Sequence, residues 1–409
     1  MWAGKPLDLP PKERAVLAIL IQKSPKAVSK DEIIKHAWYE AADVSDDSLI
    51  RCISRLRREI PEAQIEAVYG YGYKLRPIES INHGKMMAVA NGPSDVVELY
   101  LHALTLIQTR TPISAGRALE LFRRITMEHP EYAPAKIALV QAIGICIGLG
   151  MAEELSVNID EAWKRLDEAN ALEPNAHSLK ITKAWLLDVT WKFDEAELLY
   201  NELLKAEPND LELLQPYSWH LLATGRATES TDVLRKVLAR RPYSIHTRVL
   251  LARSLAHAGN CEVALQEMGI AAALYPDNPI VSSVQLAMLA KCRPDPSLIK
   301  QAMTLYRIKD IPPYARVCLP YVLANCGKPD EARQEIEKTE KASNWTITEK
   351  LMVASAMVLL GELDRGAKII VEAYEQHHGW LPVVLRSPLY APLLNHADVK
   401  RVFNSVFGL

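Results

Sequence analysis

The N-terminal fold is decided by VSDDSLIRCISRLRREI at residues 44–60, followed by IEAVYGYGYKL at residues 65–75. Apolar residues recur in the first stretch with the spacing of one helix face; they are Leu49, Ile53, Leu56 and Ile60. Arginines recur on another face; they are Arg51, Arg55 and Arg58. Ser45 is the expected N-cap, with Asp46 and Asp47 in the first turn, where the helix dipole favours negative charge. The two stretches therefore predict an amphipathic helix followed by a β-hairpin.

The arginine stripe has two interpretations. Guanidinium groups can bond guanine edges in pairs or neutralise phosphates, but a basic stripe can also be an ordinary solvated face. The upstream sequence favours DNA. Ser29 and Glu32 have the spacing of a capping box that opens a helix reaching about Tyr39, and an earlier helix is expected from Glu13 to about Gln22. Three short helices and a hairpin in this order predict a winged helix-turn-helix, a small α+β domain.

Residues 5–76 resemble the OmpR/PhoB (ToxR)-type DNA-binding domains of bacterial transcription regulators. The matching residues lie throughout the predicted helices and hairpin; they are Leu9–Glu13, Ala15–Leu17, Val28–Lys30, Trp38, Val44–Leu49, Ile53–Arg58 and Gly70–Tyr73. Arg51–Ile53 and Val68–Tyr69 look most like the HilA-like branch of virulence-gene activators. The resemblance implies double-stranded promoter DNA as the partner. Since no receiver domain precedes the winged helix, it also implies a one-component regulator that works without phosphorylation.

The resemblance and the stripe together give candidate DNA contacts. Arg51, Ser54 and Arg55 are expected at base edges, with Ser48 beside them. The residues expected on phosphates are Arg57, Arg58, Lys74 and Arg76, with an internal salt bridge as the alternative for Arg57. Tyr69 and Tyr71 are the wing candidates, and Tyr69 stands where many relatives have an arginine that enters the minor groove. The wing is therefore expected to steady the protein on DNA more than to read sequence.

The resemblance implies two further partners. The loop after the second helix contacts RNA polymerase in this family, so Glu40 and Asp43 are candidates for that contact, with loop solvation as the alternative. Paired DNA sites in the family favour two protomers side by side, as a homodimer. The chain departs from the family at its start, because only Trp2–Leu9 remains to supply the antiparallel sheet that usually precedes the first helix.

Composition excludes several classes of protein. The 409 residues carry a net charge of −2, and residues 1–78 carry 13 basic against 11 acidic residues, so the placement of the arginines and not bulk charge points to DNA. The sequence contains no nucleophile elbow, phosphate loop or paired-carboxylate pattern, so no enzyme and no cofactor are expected. Six cysteines lack metal-ligand spacing and are expected to be reduced thiols with no metal. Without a signal peptide or membrane span, the protein is expected to be cytoplasmic.

A period of 34 residues governs the chain from about residue 94 onward. Prolines that end helices recur at this spacing; they are Pro174, Pro208, Pro242 and Pro276. Twelve residues earlier lie small residues; they are Ala162, Ala196, Ser230 and Ala264. Turn glycines keep the same phase; they are Gly225, Gly259, Gly327 and Gly361. This is the tetratricopeptide repeat pattern, which predicts an α-solenoid of seven or eight helix pairs closed by a helix at 398–407.

The fold class is thus mainly α, with residues 1–78 as the winged helix, 79–93 as the linker and 94–409 as the solenoid. Solenoids of this class bind partners on the concave side, which the first helix of each pair lines. The column expected there comprises Trp185, Trp219, Arg253 and Tyr321, with Asp188 and His257 as neighbours. The alternative is that these side chains pack between units, as aromatic residues at helical spacing usually do.

The leading hypothesis is a sequence-specific transcription regulator, an activator of bacterial virulence or secretion genes. Its repeats would bind a regulatory protein or mediate self-association. The alternative is a repeat-based protein-interaction scaffold whose winged helix no longer reads DNA.

Overall fold

A computed structural model describes residues 10–23, 26–38, 46–59, 65–68, 71–75, 94–108, 112–148, 159–242, 244–275, 278–307, 317–341 and 345–409. Several of the expectations above fall outside these residues; they concern Trp2–Leu9, Glu40, Asp43, Ser45, Ile60, Tyr69, Arg76, the linker 79–93 and the side chain of Arg58.

The N-terminal domain contains three helices and a small antiparallel sheet. The helices are α1 (Pro11–Lys23), α2 (Lys30–Ala37) and α3 (Asp46–Glu59), and the strands are β1 (Val28–Ser29), β2 (Ile65–Val68) and β3 (Gly72–Leu75). The sheet has the order β1-β3-β2, with Val28 opposite Tyr73 and Ile65 opposite Leu75. Apolar side chains from every element form one core; the most deeply buried are Val16, Leu20, Val28, Ile33, Leu49 and Leu56. The winged helix-turn-helix prediction is confirmed.

Two local features hold the second helix and the sheet in place. The Ser29 hydroxyl accepts a hydrogen bond from the Glu32 amide at 3.2 Å, as an N-cap should. The Glu32 side chain does not complete the expected capping box with the Ser29 amide. Its carboxylate pairs instead with Lys23 Nζ at 2.9 Å. Gly72 lets β1 approach β3, since a Cβ there would lie 2.0 Å from the Val28 carbonyl oxygen.

Eight helix pairs follow in the described part of residues 94–375. They are α4 (Ser94–Gln108) with α5 (Pro112–Glu128), α6 (Ala133–Gly148) with α7 (Ile159–Leu172), α8 (His177–Val189) with α9 (Phe193–Ala206), α10 (Leu211–Ala223) with α11 (Ala227–Arg240), α12 (Ile245–His257) with α13 (Cys261–Leu274), α14 (Pro279–Cys292) with α15 (Ser297–Tyr306), α16 (Cys318–Asn325) with α17 (Pro329–Lys341), and α18 (Ile347–Leu359) with α19 (Leu363–Glu375). The chain ends in α20 (Leu381–Arg386), a 3₁₀ helix (Pro388–Asn395) and α21 (Ala397–Phe407).

The 34-residue period has the physical basis that the sequence predicted. The small residues are at most 1% exposed, so paired helices approach closely there. The turn glycines have φ between +74° and +89°, a region that glycine enters without steric cost. Trp191 occupies the same slot 34 residues before Gly225, with φ of +60°.

The first helices of successive pairs pack on one another, and the end of the chain returns to this layer. α20 contacts α10, so residues far apart in sequence share one apolar core with α10–α13. Leu381 and Val384 are buried in this core beside residues such as Leu222 and Leu250. The solenoid therefore curls until its C-terminal elements meet its middle.

Two sequence expectations about composition can be compared with the structure. Within the described ranges, no helix has the length and apolarity that a membrane crossing requires. The expectation of reduced cysteines is wrong for one pair, because Cys261 at the start of α13 and Cys292 at the end of α14 form a disulfide. The pairing was not visible in the sequence, since it depends on how neighbouring repeats stack. Cys52, Cys146, Cys318 and Cys326 are free.

Candidate nucleic-acid interface

The third helix has two distinct faces. Leu49, Cys52, Ile53 and Leu56 are buried against α1 and the sheet, which orients the helix. The opposite face is exposed at Ile50, Arg51, Ser54 and Arg55, while Ser48 is half-buried. Positions 50, 51, 54 and 55 share one side of a helix because residues three or four apart are neighbours. The structure thus brings together three of the predicted base contacts.

Arg55 has a partner inside the protein. Its Nη1 donates to Glu13 Oε1 on α1 at 3.0 Å, and the side chains are 57% and 6% exposed, respectively. The buried carboxylate needs this positive charge, so Arg55 joins α3 to α1 while the rest of its guanidinium faces outward. The pairing could not be predicted from the sequence, because Glu13 precedes Arg55 by 42 residues.

Arg57 also makes an internal contact. Its Nε and Nη2 donate to the carbonyl oxygen of Ile65, at 3.0 and 2.7 Å. The sequence left a phosphate contact or an internal salt bridge open for this residue. The observed bond is internal, but its acceptor is a backbone carbonyl at the start of β2. Arg57 therefore holds α3 against the hairpin.

The hairpin presents one large exposed side chain. Tyr71 is 51% exposed at the tip, and its amide donates to the Val68 carbonyl at 3.0 Å. The Tyr71 carbonyl accepts from the Lys30 amide at 3.1 Å, which ties the tip to the start of α2. Lys74 is half-buried on β3. Backbone bonds thus fix the wing from which Tyr71 projects.

One exposed residue of α3, Ile50, was not predicted from the sequence as part of this interface. Ile50 is 45% exposed between the arginines of α3, where an apolar side chain gains nothing from water. Its exposure was readable in principle, since it is out of phase with Leu49 and Ile53. Cys52 faces the other way, and burial raises its thiol pKa to about 12, so it is unreactive in the core.

The predicted repeat column does not form an open surface. Trp185 packs on α6, where its ring takes the space that a Cβ on Gly144 would need. Asp188 is fully buried: its Oδ2 accepts from the Tyr200 hydroxyl at 3.0 Å, and its Oδ1 lies 2.6 Å from His220 Nδ1. These two residues therefore pack between units, the alternative noted above.

The rest of the column is covered by the end of the chain. The ring of Trp219 meets that of Trp380 edge to face at 6.4 Å, and Arg253 lies 5.4 Å above the Trp380 ring. Tyr321 is 6% exposed. Burial lowers the pKa of His257 to about 4.

One group of possible metal ligands lies in the described residues, although no metal was expected. Single ligand atoms of His177, Glu207 and Asp210 lie within 4.8 Å of one another. His177 Nε2 is 2.9 Å from Asp210 Oδ2, and Asp210 Oδ1 already caps α10 by accepting from the Glu212 amide at 3.0 Å. These hydrogen bonds account for the closeness of the His177 and Asp210 side chains without a metal.

Sequence relatives match the N-terminal part of the chain. The family model described as "Transcriptional regulatory protein, C terminal" matches residues 4–75. The transcriptional regulator HilA of Salmonella typhi is 43% identical over 79 residues, which cover 18% of this chain and 14% of HilA. The transcriptional regulatory protein CssR of Bacillus subtilis is 33% identical over 75 residues, covering 18% of this chain and 32% of CssR. The chain thus spans a small part of these relatives.

Solved structures align with much of the chain at low identity and with TM-scores below 0.5. Yeast Tom70 has a TM-score of 0.42 and 13% identity, covering 96% of this chain and 82% of Tom70. A tetratricopeptide repeat protein from Parabacteroides merdae has a TM-score of 0.34 and 15% identity, covering 77% and 99% of the two chains. The family assignment therefore concerns the N-terminal domain: residues 4–75 are a DNA-binding domain of the transcriptional regulatory protein C-terminal family, of the OmpR/PhoB type.

Proposed function

We propose that this transcription regulator binds promoter DNA in a sequence-specific way by placing α3 in the major groove. The observation that carries the proposal is the exposed face of α3, on which Arg51, Ser54 and Arg55 surround Ile50. The groove admits a helix, and these side chains offer donors for guanine and an apolar group for the thymine methyl. Tyr71 and Lys74 on the wing would contact the sugar-phosphate backbone beside it.

The finer roles follow from resemblance to HilA and the response regulators. We propose a one-component activator of virulence or secretion genes that meets its promoters in the cytoplasm as two protomers. Glu40 and Asp43 would contact RNA polymerase. The repeats would bind a regulatory protein or a second protomer, because a stacked solenoid offers extended surface for such contacts.

The test of DNA reading uses sites selected by the full chain from random duplexes. We expect Arg51→Ala to weaken binding to the selected site by about 1–3 kcal/mol and to relax preference at one base position. Lys74→Ala should weaken all duplexes alike and reduce the dependence of affinity on salt. Arg401→Ala is the matched control, since Arg401 is 78% exposed on α21. No measurable affinity for any duplex at low salt would favour the protein-interaction scaffold instead.

Activation is tested separately by transcription in vitro. Glu40→Ala and Asp43→Ala variants should bind the selected site as the unaltered chain does and yet lose transcript. If both variants gave as much transcript as the unaltered chain, the polymerase contact would be contradicted, while the proposed reading of DNA would still stand.

A further inference from the structure

The contact between the end of the chain and the middle repeats is rich in aromatic rings. Trp191, in the turn between α8 and α9, stacks on Tyr374 at 5.6 Å and on His377 at 3.7 Å. Phe193 stacks on Phe407 at 5.7 Å. The Trp219, Arg253 and Trp380 contacts described above complete it. We call the surface formed by Trp191, Trp219 and Arg253 the inner site, and residues 377–407 the C-terminal segment.

The C-terminal segment brings a basic group as well as rings. The Arg386 guanidinium lies 4.8 Å from the ring centre of Phe403 and 4.1 Å from that of Phe407. Its stem passes the α10–α11 turn, where a Cβ on Gly225 would lie 3.3 Å from Arg386 Cδ. Arginine and aromatic side chains are the residues that most often dominate protein–protein interfaces. The segment thus has the composition of a docked ligand.

Two unfavourable features occur at this contact: left-handed backbone at non-glycine residues, and buried donors without partners. Trp191 and His377 have φ of +60° and +54°, and they are the two non-glycine residues of the described chain in the left-handed region. Such backbone persists only where the surroundings hold it, and it clusters at ligand clamps and switches. Trp191 Nε1 and Arg386 Nε are buried without a hydrogen-bond partner. An unmet buried donor destabilises the arrangement that buries it.

We propose that the inner site is a protein-binding surface held closed by the chain's own C-terminal segment, which acts as a displaceable occupant. Stacked rings seal apolar surface in the closed form, while the strained backbone at His377 and the unmet donors of Trp191 and Arg386 weaken that form relative to the helix pairs beneath it. A partner competes by presenting an aromatic ring between Trp219 and Arg253 and an oxygen acceptor to Trp191 Nε1. The inference rests on the proposed role of the repeats and is independent of DNA reading.

The first test is hydrogen exchange of the unaltered full chain. A displaceable segment opens without unfolding the repeats, so amides of residues 381–407 should exchange at least about tenfold faster than those of α10 and α12. Equal protection of the segment and these helices would overturn the proposal, since it would mean that they open only together. This measurement needs no variant and does not depend on how a substitution folds.

The second test asks whether the inner site accepts an occupant in trans. The probe is a fluorescent synthetic peptide of residues 377–407. The Trp380→Ala full chain should bind it at least about tenfold more tightly than the unaltered chain, because its own segment is loosened. Trp219→Ala combined with Trp380→Ala should abolish this gain. Trp163→Ala is the matched control, since Trp163 packs among α6–α9 away from the segment. Equal peptide binding by all four chains would overturn the proposal.

Discussion

Arg55 on the exposed face of α3 forms an ion pair with Glu13 on the buried face of α1, with 3.0 Å between Nη1 and Oε1. The same guanidinium that faces outward, where we propose DNA to lie, thus compensates a carboxylate that is 6% exposed. A loss of DNA affinity on removing Arg55 would therefore mix two effects, the lost base contact and the lost support of α3.

The two roles of Arg55 can be separated by a double-mutant cycle. Arg55→Ala should reduce the opening free energy of α1 and α3 by about 1–3 kcal/mol, because it leaves the Glu13 carboxylate buried and unpaired. Adding Glu13→Gln should restore most of that stability, since the buried charge is gone. Hydrogen exchange of α1 and α3 amides in the full chain measures this. If DNA affinity returns together with stability, Arg55 is structural and reads no base.

Ile50 should read a thymine. We expect Ile50→Ala to weaken binding to the selected site by about 1 kcal/mol, the low end of the free energy that a base contact contributes in the major groove. Replacing single thymines by deoxyuridine, which lacks the C5 methyl, should cause the same loss for the unaltered chain at one position and none for Ile50→Ala. Anisotropy titrations give the coupling. If the losses from Ile50→Ala and from deoxyuridine were additive at every position, Ile50 would contact no thymine methyl. The proposed function would still stand.

The sequence predicted those features that repeat or lie close together along the chain. The period of 34 predicted the helix pairs, because a small residue, a turn and a helix stop are each local requirements. The recognition helix was likewise predicted from its own spacing, with Leu49 and Leu56 inside and Arg51 outside. For Arg57 the sequence left an internal salt bridge open as the alternative to a phosphate contact, and the bond observed is to the Ile65 carbonyl.

What the sequence could not predict depends on contacts between distant segments. Trp380 is in no 34-residue register with Trp219, so the return of the C-terminal segment left no periodic trace. The return places Trp380 over Trp219 and Arg253 of the predicted column, a surface that would be open in a straight stack. The Cys261–Cys292 pairing depends instead on how neighbouring repeats stack. The curl accumulates from small rotations between units, which no single residue encodes.

Turn glycines and helix glycines should respond in opposite ways to alanine. Gly259, between α12 and α13, has φ of +83° with no atom within 4 Å of a Cβ position, so Gly259→Ala tests backbone strain alone. We expect a loss of about 1 kcal/mol. Gly269 lies inside α13 with equally open space, and Gly269→Ala should raise stability by about 0.5–1 kcal/mol. Hydrogen-exchange protection of the α12 and α13 amides measures both stability changes. Equal effects of the two substitutions would mean that the turn does not require glycine.

A histidine buried between two carboxylates should make the middle repeats sensitive to pH. His220 Nδ1 lies 2.6 Å from Asp188 Oδ1, and Nε2 bonds Glu197, which also accepts from Arg226 at 3.0 Å. Burial opposes the positive charge on His220, but hydrogen bonds and attraction from Asp188 and Glu197 outweigh it and raise the His220 pKa above 6.5. Burial raises the pKa of Asp188 to about 6, against the opposing effect of His220. Burial also acts on Glu197, but Arg226 and His220 outweigh it and lower the Glu197 pKa.

The sign of the stability change follows from these directions. The folded protein holds the His220 proton more tightly than the unfolded chain, so this stabilisation is complete below pH 6.5 and is lost as pH rises through the raised pKa. Asp188, with its raised pKa, contributes stability that is lost as pH rises from 3.8 through about 6, and the Glu197 carboxylate adds stability that is lost below its ordinary 4.5, so both act mainly below pH 6.5. Above pH 6.5, protection of α8 and α10 amides, corrected for intrinsic exchange, should therefore decline in the full chain and stay flat in His220→Gln. His129→Gln, at a half-buried position outside the middle repeats, is the control and should keep the decline. A flat profile in the unaltered chain would show that His220 is not charged between its two carboxylates.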